Sequence, residues 1–218
     1  MAAPRLNPVW LLAIAACFPA GCDRAPDAPS NVPTSHPATA PRQSNAPRSP
    51  IVAAARGQVG RTVTYDPSYV RLGYPMGDVP IDRGVCTDVV IRALRYAIDT
   101  DLQKLLHEDM TTAFSEYPTM WGLRKPDRNI DHRRVPNLRR YFERTGYSVG
   151  VSRNKLDYLP GDLVTCDVSR RPHIMIVSDR KTSDGVPLVI HNIGRGAKEE
   201  NRLFEFRITG HYRIRKPG

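Results

Sequence analysis

The sequence predicts an α+β fold, with helices in the first part of one domain and an antiparallel sheet in the second. Three observations predict it. Apolar residues recur at helical spacing between positions 50 and 145. From position 160 onward, short β-rich runs alternate with turn residues. Pro160-Gly161-Asp162 marks the change between the two regimes. Helices first and strands second is the layout of an α+β domain rather than of alternating strand–helix units.

Each element has a local reason. Ser49-Pro50 starts a helix whose apolar positions include Ile51, Val52, Ala55 and Val59 and which stops at Gly60. Asp82-Arg83-Gly84 leads into a second helix over 85–96, with Val85, Val89, Val90, Ala93, Leu94 and Ala97 at helical spacing. Asp101 caps a third through Leu102, Leu105 and Leu106. Residues 136–146 form a fourth, with proline at the start and glycine at the stop. Strands are predicted over 163–166, 173–177, 188–191, 203–208 and 212–214, with 178–185 as a loop.

The front of the chain is a different material. Ten of the 20 prolines lie in the first 50 residues. Residues 1–22 read as a secretory signal: Arg5, then a short apolar run from Val9 to Ala16, then small residues. The run is far shorter than the roughly 20 residues that span a bilayer. Small residues precede both Cys17 and Cys22, the pattern of a bacterial lipoprotein signal, so either cysteine is a candidate lipid anchor. Plain cleavage near Ala20 is the alternative. Residues 23–48 are rich in Pro, Ala and Ser, with too little apolar surface to offset the entropy of ordering. They read as a tether, which leaves 49–218 as the folded domain. The expected location is the periplasm or cell envelope, anchored to a membrane.

Lys and Arg number 32 against 22 Asp and Glu, a formal net charge of +10. That balance favours acidic partners such as cell-wall peptides, teichoic acids or anionic lipids. Nucleic acid is not expected, because no helix-turn-helix, RRM or zinc-finger pattern is present and the export signal argues against it.

The candidate chemistry sits at Cys86, His173 and His191. A cysteine attacks as a thiolate, and a helix N-terminus or a nearby imidazole favours that form. Cys86 falls in the first turn of the predicted second helix, whereas Cys166 lies within a strand. His173, opening a strand, is the candidate base. A third polar group must orient it. His191, at the end of the next strand, is placed to do so, with Asn192 as its nearby substitute.

Gly84-Val-Cys-Thr-Asp-Val-Val90 resembles the cysteine-bearing helix of NlpC-type cell-wall peptidases. Pro160-Gly-Asp-Leu-Val164 resembles the turn and strand those enzymes place before their histidine, His173-Ile-Met-Ile-Val177 their histidine strand, and Val189-Ile-His191 the strand of their third polar residue. The related cysteine-histidine-dependent amidohydrolases share the order, and Ile190-His-Asn-Ile-Gly194 is similar to their last motif. The whole domain also resembles a bacterial envelope family labelled a domain of unknown function, including Tyr65-Asp-Pro-Ser-Tyr69 and Asn129-Ile-Asp-His-Arg-Arg134. Two departures stand out: Val85-Cys86-Thr87-Asp88 replaces the usual Asp-Cys-Ser-Gly, and an insert runs from 107 to 134.

The resemblance implies a papain-like fold and a cysteine peptidase or amidase that cleaves peptidoglycan peptides. Cys86 is then the nucleophile, His173 the base and His191 its orienting partner. Tyr65, Asp88 and Asn192 are the candidates for substrate contact. A packing tyrosine is the alternative for Tyr65, and helix capping for Asp88. No metal or organic cofactor is expected, and the chain is expected to be a monomer. The competing readings are a buried inert thiol, a Cys86–Cys166 disulfide, and zinc held by Cys86, His173 and His191. At the level of function they are a non-catalytic wall-binding lipoprotein and an acyl or amide transferase. His132 reads as a loop-ordering or surface residue, His107 as a solvated helix end, and His36 and His211 carry no role.

Overall fold

The computed structural model describes residues 49–215. The expected signal at 1–22, with Cys17 and Cys22, and the tether at 23–48 lie outside the described residues. Four α-helices come first: α1 Pro50–Arg56, α2 Cys86–Ile98, α3 Leu102–Thr112 and α4 Val135–Arg144. Two short strands, β1 Thr64–Tyr65 and β2 Arg83–Gly84, lie between α1 and α2 and pair in parallel. The remaining strands are β3 Leu163–Val168, β4 Arg171–Lys181, β5 Pro187–Asn192, β6 Ala197–Glu200 and β7 Arg207–Tyr212. They form one sheet in the order β6-β5-β4-β3-β7 with every neighbouring pair antiparallel.

The sheet separates two apolar clusters. On one face, Leu163, Ile174, Ile176 and Ile190 pack with Val89, Val90 and Leu94 of α2, Leu106 of α3 and Phe142 of α4. On the other, Val164, Cys166, Met175, Val177 and Val189 pack with Tyr158 and Leu203. Alternation along each strand assigns the faces. Val89, Val90, Leu94, Leu106 and Phe142 are fully inaccessible. Each such side chain contributes about 1.5–3 kcal/mol on burial. The two faces therefore fix both the sheet register and the seat of α2.

The helices start where the sequence places them, but several boundaries move. α1 ends at Arg56, and Gly57 to Arg61 continues as turns that leave Val59 exposed. β4 runs on through polar Ser178 to Lys181, because these residues continue the arm that folds back onto β5. Ser169 and Arg170, both at positive φ, make the two-residue turn between β3 and β4. Residues 203–206, expected as strand, are turns, and the last strand is β7. β6 was not anticipated. Among the described residues no helix is long and apolar enough to cross a membrane.

Candidate active site

α2 begins at Cys86 with Val85 as its extended N-cap. Valine has no side chain that can cap, so the end is closed from within. Asp88 reaches back to accept the Val85 N–H at 2.7 Å. Gly84 is held in place on three sides. Its φ of +148° is one that side chains rarely adopt, and a Cβ there would meet the Asp88 side chain at 2.9 Å. Its carbonyl accepts from Asn192 Nδ2 at 2.9 Å and from the Asp66 N–H at 3.2 Å. The residues just before Cys86 are thus tied to the end of β5 and to the β1 segment together.

Two buried arginines fix the rest of the frame. Arg92, fully inaccessible on α2, pairs with Asp78 at 2.9 Å and donates to the carbonyls of Val79, Pro80 and Arg83. Arg133, in the 3₁₀ turn Asp131–Arg133, forms a two-bond pair with Asp88 at 2.9 and 3.0 Å. Its Nη1 donates to the Ser68 carbonyl, and its Nη2, already on Asp88, donates also to the Asp66 carbonyl. It therefore ties the turn after Tyr65 to the first turn of α2. Removing one partner of such a buried pair costs about 3–5 kcal/mol.

A cleft of about 150 Å³ opens beside the thiol, lined by Tyr65, Pro67, Val85, Cys86, Ile130, Arg133, Val135 and Pro172. A larger hollow of about 400 Å³ around Val149, Leu156, His211 and Arg213 contains no cysteine. Cys86 is 4% exposed. Backbone N–H groups of Ile174, Thr87 and Cys86 itself are near enough to favour its thiolate, without a hydrogen bond to the sulfur. The Ile174 amide belongs to the residue after His173, so the helix start and the histidine strand meet here. Burial opposes those amides, and with the nearby Asp88 charge it pushes the thiol up to about 11. In this closed state the thiol keeps its proton at neutral pH.

His173 and His191 are directly joined, with Nε2 of the first 2.8 Å from Nδ1 of the second. They lie on the sheet face of Met175 and Val189, opposite the face of Ile174 and Ile176 on which α2 and Cys86 pack, so the structure joins the two rings to each other and sets neither against the thiol. Burial pulls His173 down to about 3, with a smaller push from His191, and pulls His191 down to about 4. Both rings are neutral at pH 7. A neutral ring has one donor and one acceptor nitrogen, so the pair can act as a relay in which each fixes the other's tautomer. His191 Nε2 is buried, and Glu200 Oε1 lies 3.4 Å away, beyond good hydrogen-bond geometry. Arg202 Nε holds the other Glu200 oxygen at 3.3 Å.

Of the substrate-contact candidates, Tyr65 lines the cleft and is 38% exposed. Burial and then the proximity of Cys86 push its phenol up to about 12, so it stays a donor. Asp88 and Asn192 do not face the cleft. Asp88 is 3% exposed, with both oxygens engaged by Arg133 and Val85. Asn192 is inaccessible, donating to Gly84 and accepting from the Gly194 N–H. Both position the α2 start instead, because their polar atoms are already satisfied by backbone and Arg133. Cys86 and Cys166 are both free thiols, so the disulfide alternative is not formed. Among the described residues no group of three or more His, Cys, Asp or Glu could hold a metal ion. His132 is buried rather than surface-exposed, with Nδ1 unpartnered, and burial pulls it down to about 3.

Sequence reasoning singled out neither Arg133 nor Glu200. Arg133 sits in the Asn129-Ile-Asp-His-Arg-Arg134 segment, whose density of charged residues next to a helix-starting proline was the available signal. Glu200 gave none.

A family model described as "Domain of unknown function (DUF1287)" matches residues 52–214. "Uncharacterized protein YijF" of Escherichia coli (strain K12) is 56% identical over 164 residues, covering 75% of this chain and 80% of the relative. No solved structure matches.

Proposed function

This chain belongs to the family described as Domain of unknown function (DUF1287), and from the geometry of its cleft we propose that it is an exported cysteine hydrolase of papain-like, NlpC-type architecture. Its proposed reaction is cleavage of an amide bond in peptidoglycan peptides. One observation carries the reading: a cysteine at the first position of α2 shares a cleft with Tyr65 and packs against β4, the strand that carries His173 of the His173–His191 pair.

The chemistry proceeds in two halves. The Cys86 sulfur adds to the carbonyl carbon as His173, its ring turned from the Met175 face to the cleft, takes the thiol proton. The first amides of α2 hold the oxyanion that develops. His173 returns its proton to the departing amine, the C–N bond breaks and a thioester remains. Water, deprotonated by His173, then adds to the thioester. The C–S bond breaks, and the acid product and the thiol are released. Neutral histidines and a protonated thiol suit this cycle, because proton transfer need occur only when a carbonyl is in place. His191 keeps His173 in the working tautomer, and Tyr65 donates to the substrate.

The proposed location is the periplasm, through the signal at 1–22 and a lipid on Cys17 or Cys22. A second reading, a non-catalytic wall-binding lipoprotein, draws on the 4% exposure of Cys86 and its raised pKa. Incubating the full-length chain and its Cys86→Ala variant with sacculi, and identifying released peptides by mass spectrometry, separates the two. New peptides lost in the variant support hydrolysis and name the bond. Binding of sacculi by both proteins with no release supports the binding module.

A further inference from the structure

We propose that Glu200 is a positioning residue that sets the tautomer of the His191–His173 pair and so decides which nitrogen of His173 is free to act as the base. The inference rests on the reading of His173 as the base of Cys86. β6 runs antiparallel to β5, with Val189 opposite Glu200 and His191 opposite Lys198. Successive side chains on β6 point to opposite faces. Glu199 goes to the helix side, where Arg56 and Ser178 hold it. Glu200 goes to the histidine side, where its Oε1 is 3.4 Å from His191 Nε2. Arg202 takes Oε2, which leaves Oε1 turned toward the ring.

An ionised carboxylate only accepts, so the buried His191 Nε2 beside it carries the ring proton. His191 Nδ1 then holds a lone pair. It lies 2.8 Å from His173 Nε2, which must therefore be the donor. That leaves His173 Nδ1 with a lone pair, which makes it a base. In the opposite tautomer a lone pair on His191 Nε2 would face the carboxylate, and His173 Nδ1 would carry a hydrogen and be unable to take the thiol proton. Charge at Glu200 thus selects the productive chain of hydrogen bonds, as the third member of a catalytic triad fixes its histidine.

The test is nitrogen NMR of the imidazoles in the full-length chain labelled with ¹⁵N-histidine, with His191→Gln providing the assignment. The wild type is expected to show His191 protonated at Nε2 and bare at Nδ1. Glu200→Gln, whose amide can either donate or accept, is expected to lose that single tautomer. Peptide release by this variant should fall about 10²-fold or more in kcat with KM little changed. A His191 proton on Nδ1 in the wild type would overturn the proposal, and that measurement needs no variant to fold. So would an unchanged Nε2–H tautomer in both Glu200→Gln and Glu200→Ala. Because the tautomer is read without substrate, this outcome is distinct from any failure to cleave peptidoglycan.

Discussion

His211 and His191 are both nearly inaccessible, each sits beside a carboxylate, and they lie on strands at opposite sides of the sheet. Their hydrogen-bond circuits differ. His211 gives both nitrogens to fixed partners, Asp162 Oδ2 at 2.8 Å and the Gly150 carbonyl at 3.1 Å, and its ring stacks on Tyr158. Asp162 is itself saturated, accepting two bonds from Arg213 and one from the Leu159 N–H. Burial alone would raise that carboxyl, but the bonds from Arg213, His211 and Leu159 outweigh it and hold it below the usual carboxylate range. The His191 circuit is open. One bond joins His191 to His173, Glu200 stands 3.4 Å from the far nitrogen of His191, and His173 Nδ1 has no protein partner among the described residues. A closed circuit commits both ring nitrogens to fixed partners and ties a loop to the sheet, while an open one leaves a ring nitrogen uncommitted, as the proposed chemistry needs.

That contrast can be broken most strongly at the base. His173→Ala is predicted to lower peptide release by about 10²–10⁴-fold while shifting the melting temperature by only a few degrees. His211→Ala should do the reverse, keeping release per folded molecule and lowering the melting temperature. Equal effects of the two on release would abolish the distinction.

Next in size is the carboxylate of the closed circuit. Asp162→Ala leaves Arg213 and His211 without their buried partner and is expected to cost about 3–5 kcal/mol in urea unfolding. Glu200→Ala, whose side chain is a quarter exposed, should cost about 1 kcal/mol or less.

Stability against pH sharpens the comparison further. His132, His173 and His191 have folded values of about 3, 3 and 4, all below the ordinary value of 6.5. The unfolded chain therefore binds more protons between those values, and stability rises with pH across that window. It is fully present above about 6.5 and is lost as pH falls toward 4, by about 1.4 kcal/mol per unit for each such histidine. The urea midpoint should fall accordingly between pH 7 and pH 4, and more gently in His191→Gln. A flat profile would mean that these rings are not buried neutral.

The cleft itself is tested through thiol reactivity. With Cys86 pushed from 9.0 to about 11, its alkylation by iodoacetamide at pH 7 should be about 10²-fold slower than that of an exposed thiol. The rate should climb with pH toward 11, as followed by intact mass. Rapid modification at neutral pH would contradict the closed, protonated state.

Much of the framework is legible in the sequence because it rests on apolar periodicity and caps. The positions of Val89, Val90, Ala93 and Leu94 place α2, and Asp101 caps α3 by accepting the Gln103 N–H. Cys86 at a helix start and the strand histidines follow from the same local signals. What is not legible depends on pairing across the chain. Ala197-Lys-Glu-Glu200 has no apolar alternation and becomes a strand only because β5 presents an open edge. The residues from Leu203 to Phe206 look β-prone, yet they turn so that Leu203 fills the cluster behind Tyr158. Arg133 and Glu200 look like solvated charge in the sequence. Only the tertiary structure shows one to be 6% exposed and bonded to Asp88, and the other to stand beside a buried ring.

The proposed hydrolysis requires a thioester on Cys86 during turnover. Full-length protein mixed with a defined muropeptide, quenched in acid within milliseconds to seconds and analysed by intact-mass and peptide mapping, tests it directly. A transient adduct on Cys86 with the mass of the acyl fragment is expected, decaying as free acid accumulates and absent in Cys86→Ala. Product formed at the same rate by Cys86→Ala, or no adduct and no product while both proteins still bind sacculi, would contradict it.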